Sequence, residues 1–197
     1  TGSASSLNDL TDVLVDSNSS MFLGTPPTNS TGSYNTASGT NSLKDNTSGY
    51  RNTASGDSSL SSNTAGYNNT ALGASSLGTN TTGNDNTASG YYSLYFNTSG
   101  ESNTASGSNS LFFNTTGDYN TASGHNSLYA NTIGQGNTAS GLYSLSLNTT
   151  GNFNTASGGF SLNSNTEGNN NTALGYAAGG SSPDAINQTI IGYEATG

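Results

Sequence analysis

The string Asn-Thr-Ala-Ser/Leu-Gly starts at Asn35, Asn52, Asn69, Asn86, Asn103, Asn120, Asn137, Asn154 and Asn171, and every interval is 17 residues with no insertion or deletion. A period this strict means that each unit is one structural element stacked on its neighbours. One added residue would carry all later side chains out of their columns. Aligned, the units read N-T-A-[SL]-G-x-x-S-L-x-x-N-T-x-G-x-x, two unequal sub-turns of eleven and six residues. The period is too short for a helix-turn-helix repeat, and the unit is poor in strong helix formers. One coil of an all-β, parallel β-solenoid fits, with strands of about three to five residues turning at Gly and Asn. At the ~4.8 Å spacing of neighbouring strands, nine coils make a rod roughly 43 Å long.

The ends stay partly in phase. Gln188-Thr189-Ile190-Ile191-Gly192 stands where a tenth motif should start, Asn29-Ser30-Thr31-Gly32 matches the six-residue half, and Met21-Phe22-Leu23-Gly24 reads as a first copy joined to it by a connection two residues shorter. The chain therefore divides into an N-terminal connector with a first partial repeat (1–24), a proline-containing linker and half repeat (25–34), a nine-copy solenoid (35–179) and a C-terminal partial repeat (180–197). Residues 1 to 20 do not repeat, and Leu7 to Val13 reads as a short connector or docking segment. A start at Thr1 rather than Met fits a processed form or a fragment.

Side-chain alternation predicts which positions face inward. The Ala of each motif shares a face with the Gly two residues later, while the flanking Thr and Ser point away. The only large apolar residue in nearly every unit is Leu43, Leu60, Leu77, Leu94, Leu111, Leu128, Leu145 or Leu162. The Asn-Thr pairs read as turn-and-ladder positions, since Asn tolerates the left-handed region and stacked amides bond along an axis. One Leu and one Ala is a thin core against the entropy of ordering 17 residues. That imbalance predicts side-by-side association, most naturally a homotrimer with the leucine column as its seam.

Composition alone points elsewhere. Leu, Ile, Val and Phe make up 28 of 197 residues, a level typical of disordered chains, and only their fixed spacing argues for a fold. Eleven acids against Lys44 and Arg51 give a net charge of -9, so no basic surface is available for phosphates or anionic lipid, and neither nucleic acid nor a membrane surface is an expected partner. No apolar run approaches the ~20 residues of a membrane span, and no signal peptide is recognisable. With no Cys, disulfides and thiolate chemistry are excluded.

Leu10-Thr11-Asp12-Val13, Met21-Phe22-Leu23-Gly24, the repeated Gly-x-x-Asn-Thr-Ala-Ser/Leu-Gly and Ile190-Ile191-Gly192-Tyr193-Glu194-Ala195-Thr196-Gly197 together resemble the repetitive shafts of phage and bacterial tail-fibre-like proteins. Such shafts are often followed by an endosialidase-type intramolecular chaperone. The head repeats of trimeric autotransporter adhesins are similar more loosely, with a shorter period. The resemblance implies a parallel homotrimer, a location outside the cell, on a cell surface or on a virion, and a role in attachment.

Active-site chemistry has little to draw on. The single His125 occupies a variable turn position, and the Asp residues (Asp45, Asp57, Asp85, Asp118, Asp184) are scattered rather than laddered as calcium-binding β-rolls require. No enzyme activity, cofactor or metal is expected. The aromatic residues carry the functional signal because they fall at variable offsets, so the solenoid does not need them. Tyr91, Tyr92, Tyr95, Phe96, Phe112, Phe113, Tyr129 and Tyr143 lie in consecutive units and are the candidate contacts for a cell-surface glycan or protein receptor, or for packing between subunits. The expected function is a structural and adhesive rod that spaces and presents a tip domain. The alternatives are an ice-binding solenoid using the Thr36 and Ser38 columns, and a self-assembling extracellular filament or matrix subunit.

Overall fold

The computed structural model describes residues 13–23, 26–28, 30–179 and 182–197; the connector reading over residues 7–12 lies outside them. Its strands form a single sheet of 12 in chain order. β1 is Val13–Val15, β2 is Met21–Leu23 and β3 is Thr36–Ser38. From there one three-residue strand recurs in each unit, through β11 at Thr172–Leu174 and β12 at Thr189–Ile191. From β2 onward neighbours pair in parallel, Thr against Thr and Ala against Ala wherever the motif repeats. The chain is a parallel β-solenoid with one coil per 17-residue unit. The partial repeats belong to it at both ends: Met21–Leu23 pairs with Thr36–Ser38, and Thr189–Ile191 pairs with Thr172–Leu174. β1 runs antiparallel along β2, with Val13 opposite Leu23 and Val15 opposite Met21, so it occupies the outer edge of the first coil.

The unit from Asn103 to Tyr119 shows how a coil is held. Bonds to the following coil run from the N–H of Thr104, Leu111, Phe113 and Thr115 to the carbonyls of Asn120, Ser127, Tyr129 and Thr132, at 2.8 to 3.0 Å. Bonds to the preceding coil run from the N–H of Gly107, Asn109 and Tyr119 to Ser89, Tyr91 and Glu101, at 2.8 to 3.0 Å. The expected short strands, of about three to five residues, are present as one three-residue strand per coil. The strand covers Thr104–Ser106, and a run of turns carries the chain from Ser108 to Phe113. These turns need left-handed backbone at Asn109, Leu111 and Tyr119 (φ 55°, 52° and 58°), and a leucine there is unusual. The Leu111 N–H to Ser127 bond of 3.0 Å pins that conformation, as does its counterpart in each coil.

The same turn drives the leucine inward. Leu43, Leu60, Leu77, Leu94, Leu111, Leu128 and Leu145 are fully buried within one chain, and Leu162 is 2% exposed. They are therefore core, and the reading of this column as the seam between chains is corrected: it has no surface left to offer a neighbour. The Ala column lies beside it, and Phe22 and Ile190 fill the corresponding space in the first and last coils.

Much of the interior is polar, and this makes up for the thin apolar column. In the reference coil Asn103 donates its backbone N–H and its Nδ2 to Asn86 Oδ1, at 3.0 and 3.1 Å, and the same Nδ2 to the Gly117 carbonyl at 2.8 Å. Asn114 Nδ2 donates to Asn97 Oδ1 at 2.8 Å and to that same carbonyl at 2.9 Å. Ser110 Oγ closes the turn onto the Gly107 carbonyl at 2.9 Å. Two asparagine ladders thus run through the rod, and each buried amide finds the partners without which it would cost about 1–3 kcal/mol. The lateral association inferred from a lean core is not needed to close that core.

Candidate functional site

In the structure the variable positions of the repeat lie on the outside of the coil, and the sixth, seventh, tenth and eleventh positions share the turn face opposite the strand. In the five units from Asn86 to Asn170 these positions hold no Asp, Glu, Lys or Arg. The apolar residues among them form a strip along the rod.

Seven of the eight aromatic candidates meet in one network. Tyr91 packs edge-on against Tyr92 at 4.2 Å, and Tyr92 against Tyr95 at 4.8 Å. Phe96 stacks on Phe113 of the next coil at 5.4 Å and 3°, and Phe112 stacks on Tyr129 at 5.3 Å and 5°. These ring separations follow the strand spacing, because equivalent positions in successive coils lie one strand apart. Tyr91, Phe96 and Phe113 stay 54, 37 and 39% exposed, while Tyr92, Tyr95, Phe112 and Tyr129 are half-buried beneath them. A side-chain hydrogen bond with Tyr92 raises the Tyr91 phenol above its ordinary value.

Tyr143 stands apart from this network. It joins a second run in which it stacks on Phe160 at 5.4 Å, Phe160 meets Tyr176 at 5.7 Å and Tyr176 stacks on Tyr193 at 5.5 Å. His125 packs edge-on against Tyr143 at 5.7 Å, which makes it a ring-packing residue. Between the runs, Asn126 holds the place that Tyr92 holds beside Tyr95. Its Oδ1 is the one buried side-chain oxygen without a hydrogen-bond partner among the described residues.

Sequence reasoning left Phe160 and Tyr176 outside the candidate set and overlooked Tyr193 and the exposed Leu142 and Leu147, all on this face. It ranked rings by their density along the chain. Sorting residues by offset within the repeat would have found them, because offset fixes the face.

Two other surfaces complete the exterior. On the strand face the Thr and Ser of each motif point outward in parallel columns, interrupted at the Ser column by Leu72, Leu174 and Ile191. At the corner formed by the last four positions, Tyr50 stacks on Tyr67 at 4.9 Å and 8°, with the Arg51 guanidinium 5.8 Å from the Tyr50 ring centre. Tyr119 and Phe153 stand exposed further along that corner. No group of three or more His, Asp or Glu side chains able to hold a metal ion occurs among the described residues.

No protein-family model matches the chain, and no curated protein or solved structure matches it either. The class the fold defines is that of a parallel β-solenoid.

Proposed function

We propose that the chain is a non-enzymatic structural and adhesive rod segment of an extracellular, cell-surface or virion fibre, spacing a tip domain and making contact through its aromatic strip. The observation that carries this reading is the pairing of a self-sufficient rod with an uncharged row of rings confined to one face. The core uses only the invariant positions, so the rings of the strip are additions to a fold complete without them. Contiguous exposed apolar surface of this kind marks a binding face. The partner suited to it is a cell-surface glycan or protein receptor, since flat ring faces take up sugar rings or apolar side chains. A homotrimer would need a seam other than the buried leucine column, and the strip is an apolar face that offers one.

Replacing Tyr92 and Tyr95 together by Ser tests this directly. Equivalent positions hold Ser58 and Ser61 two coils earlier in the rod, so the fold is expected to survive with its melting temperature nearly unchanged. On a glycan array or in a cell-adhesion assay, binding should fall about tenfold or more, the loss expected for removing a central pair of rings. Binding equal to the parent contradicts the proposal. A change in oligomeric state instead assigns these rings to a subunit seam.

Two features bear on the alternative readings. The outward Thr and Ser columns favour an ice-binding face, although Leu72 and Leu174 break the array, and thermal hysteresis of the purified chain decides the matter. The antiparallel β1 on the edge of β2 disfavours open-ended stacking of copies in parallel register at that edge, and so favours a discrete rod over a filament.

A further inference from the structure

The corner hollow at the N-terminal end of the rod, separate from the aromatic strip, has its own chemistry. The Ser33–Tyr34 step of the half repeat and the Tyr50–Arg51 step of the next coil line an open hollow of about 250 Å³, a space smaller than the usual drug-sized pocket and suited to one sugar ring. The two steps are tied by the Arg51 N–H to Ser33 carbonyl bond of 2.9 Å. Tyr34 is 62% exposed at the rim, and Tyr50 forms a wall held flat by its stack on Tyr67.

Arg51 is one of only two cations in a chain of net charge -9, and among the described residues it has no ion-pair partner. Its guanidinium lies near the Tyr50 ring, an arrangement that orients the planar fork while leaving its N–H groups free for a planar anion. The Ser33 and Ser48 hydroxyls also line the hollow, and neither makes a hydrogen bond among the described residues. This set occurs once. In later coils the same corner carries carboxylates instead, at Asp85, Glu101 and Asp118. Asp85, the first of these, lies two coils on, about 10 Å along the axis. At physiological salt that is about one Debye length, so the carboxylates of this corner do little to repel an anion held at Arg51.

We propose that this hollow binds a carboxylate-bearing sugar, with the carboxylate on the Arg51 guanidinium, the apolar ring face against Tyr34 or Tyr50, and the hydroxyls on Ser33 and Ser48. A neutral sugar would lack the charge-assisted pair, and a bare carboxylate would lack the stacking.

The test is a two-dimensional NMR titration of the whole chain with glucuronic acid, glucose and acetate in parallel. At about 10 mM, ten times a Kd of about 1 mM, glucuronic acid should shift the amide signals of Tyr34, Tyr50 and Arg51, while glucose and acetate should shift them far less. Arg51→Gln should weaken glucuronic acid binding about tenfold. The equivalent positions in other coils hold Asn68, Asp85 and Ser102, so this variant is expected to fold like the parent, and its unperturbed spectrum elsewhere checks that. Tyr34→Ser, replacing an exposed ring by the residue that Ser102 supplies elsewhere, should weaken binding without affecting the rod. Equal response to glucose, equal response to acetate, no shift with glucuronic acid, or parent-like binding by Arg51→Gln each overturns the proposal. The strip variant with Ser at positions 92 and 95 should bind glucuronic acid like the parent, so failure of the hollow and failure of the strip read out separately.

Discussion

Gly107→Ala is expected to break the rod at its middle. Gly107 has φ 134°, a region an L side chain rarely enters, and a methyl group added there would come within 2.7 Å of the backbone carbon and oxygen of Gly124 in the next coil. The obstacle is backbone, which cannot move aside without separating the two coils. Backbone strain of about 1–3 kcal/mol adds to an overpacking cost of about 1–3 kcal/mol. Each kcal/mol lowers the melting temperature of a chain this size by about 2–4 °C, so a fall of around 10 °C is expected. Because a solenoid is held by nearest-neighbour interfaces, the damage should also divide one transition into two. Calorimetry checks both effects, and a single transition at the parent temperature would show that the coils do not approach so closely at this column.

Leu111→Asp should be as damaging for a different reason. The side chain is fully buried in a single chain, and the coil has no cation to pair with a carboxylate placed there. Losing the leucine alone costs about 2–5 kcal/mol, the range expected for Leu111→Ala as the control. The unpaired buried charge adds to that and brings the total above about 5 kcal/mol. Thermal melting in dilute solution is the measurement. If the aspartate variant melts within a degree or two of the alanine control, the leucine column faces water and the inward turn described above is wrong.

These two residues also show what was legible in the sequence. The 17-residue spacing announced a stack of coils, and the alternation across Thr-Ala-Ser placed Ala inside and both hydroxyls outside, as the structure has it. Stacked asparagines were expected, and both ladders are present. What periodicity could not reveal was the path of the chain after the strand. Leu111 sits in left-handed backbone that glycine or asparagine usually occupies, held there by bonds to the next coil that no local propensity encodes. The leucine column was expected to serve as core and as a seam between chains; with that turn unforeseen, its complete closure inside one chain was not anticipated. The aromatic strip was half legible for a related reason. Rings at adjacent positions such as Tyr91 and Tyr92 stand out in the sequence, whereas the match between Tyr143 and Phe160 emerges only when residues 17 apart are seen to stack. The corner hollow was invisible because it joins an irregular half repeat to the first full coil.

The stability of the rod is thus distributed coil by coil, with each of the eight units from Asn35 to Asn170 supplying a complete cross-section of Ala, Leu, Ser and two Asn. The most direct measurement is a comparison, by thermal unfolding followed by circular dichroism, of two deletions in a region outside the aromatic strip. Removing the whole unit Asn69–Asp85 should leave a cooperatively folded chain melting near the parent, because the unit from Asn86 can dock onto the unit from Asn52 with every column in register. Removing only Ser75 to Thr79 should abolish that transition, since the leucine and the turn that buries it are lost and the two asparagine ladders fall out of line. Two deletions that melt alike, both unfolded or both intact, would contradict the in-register stack of self-contained coils.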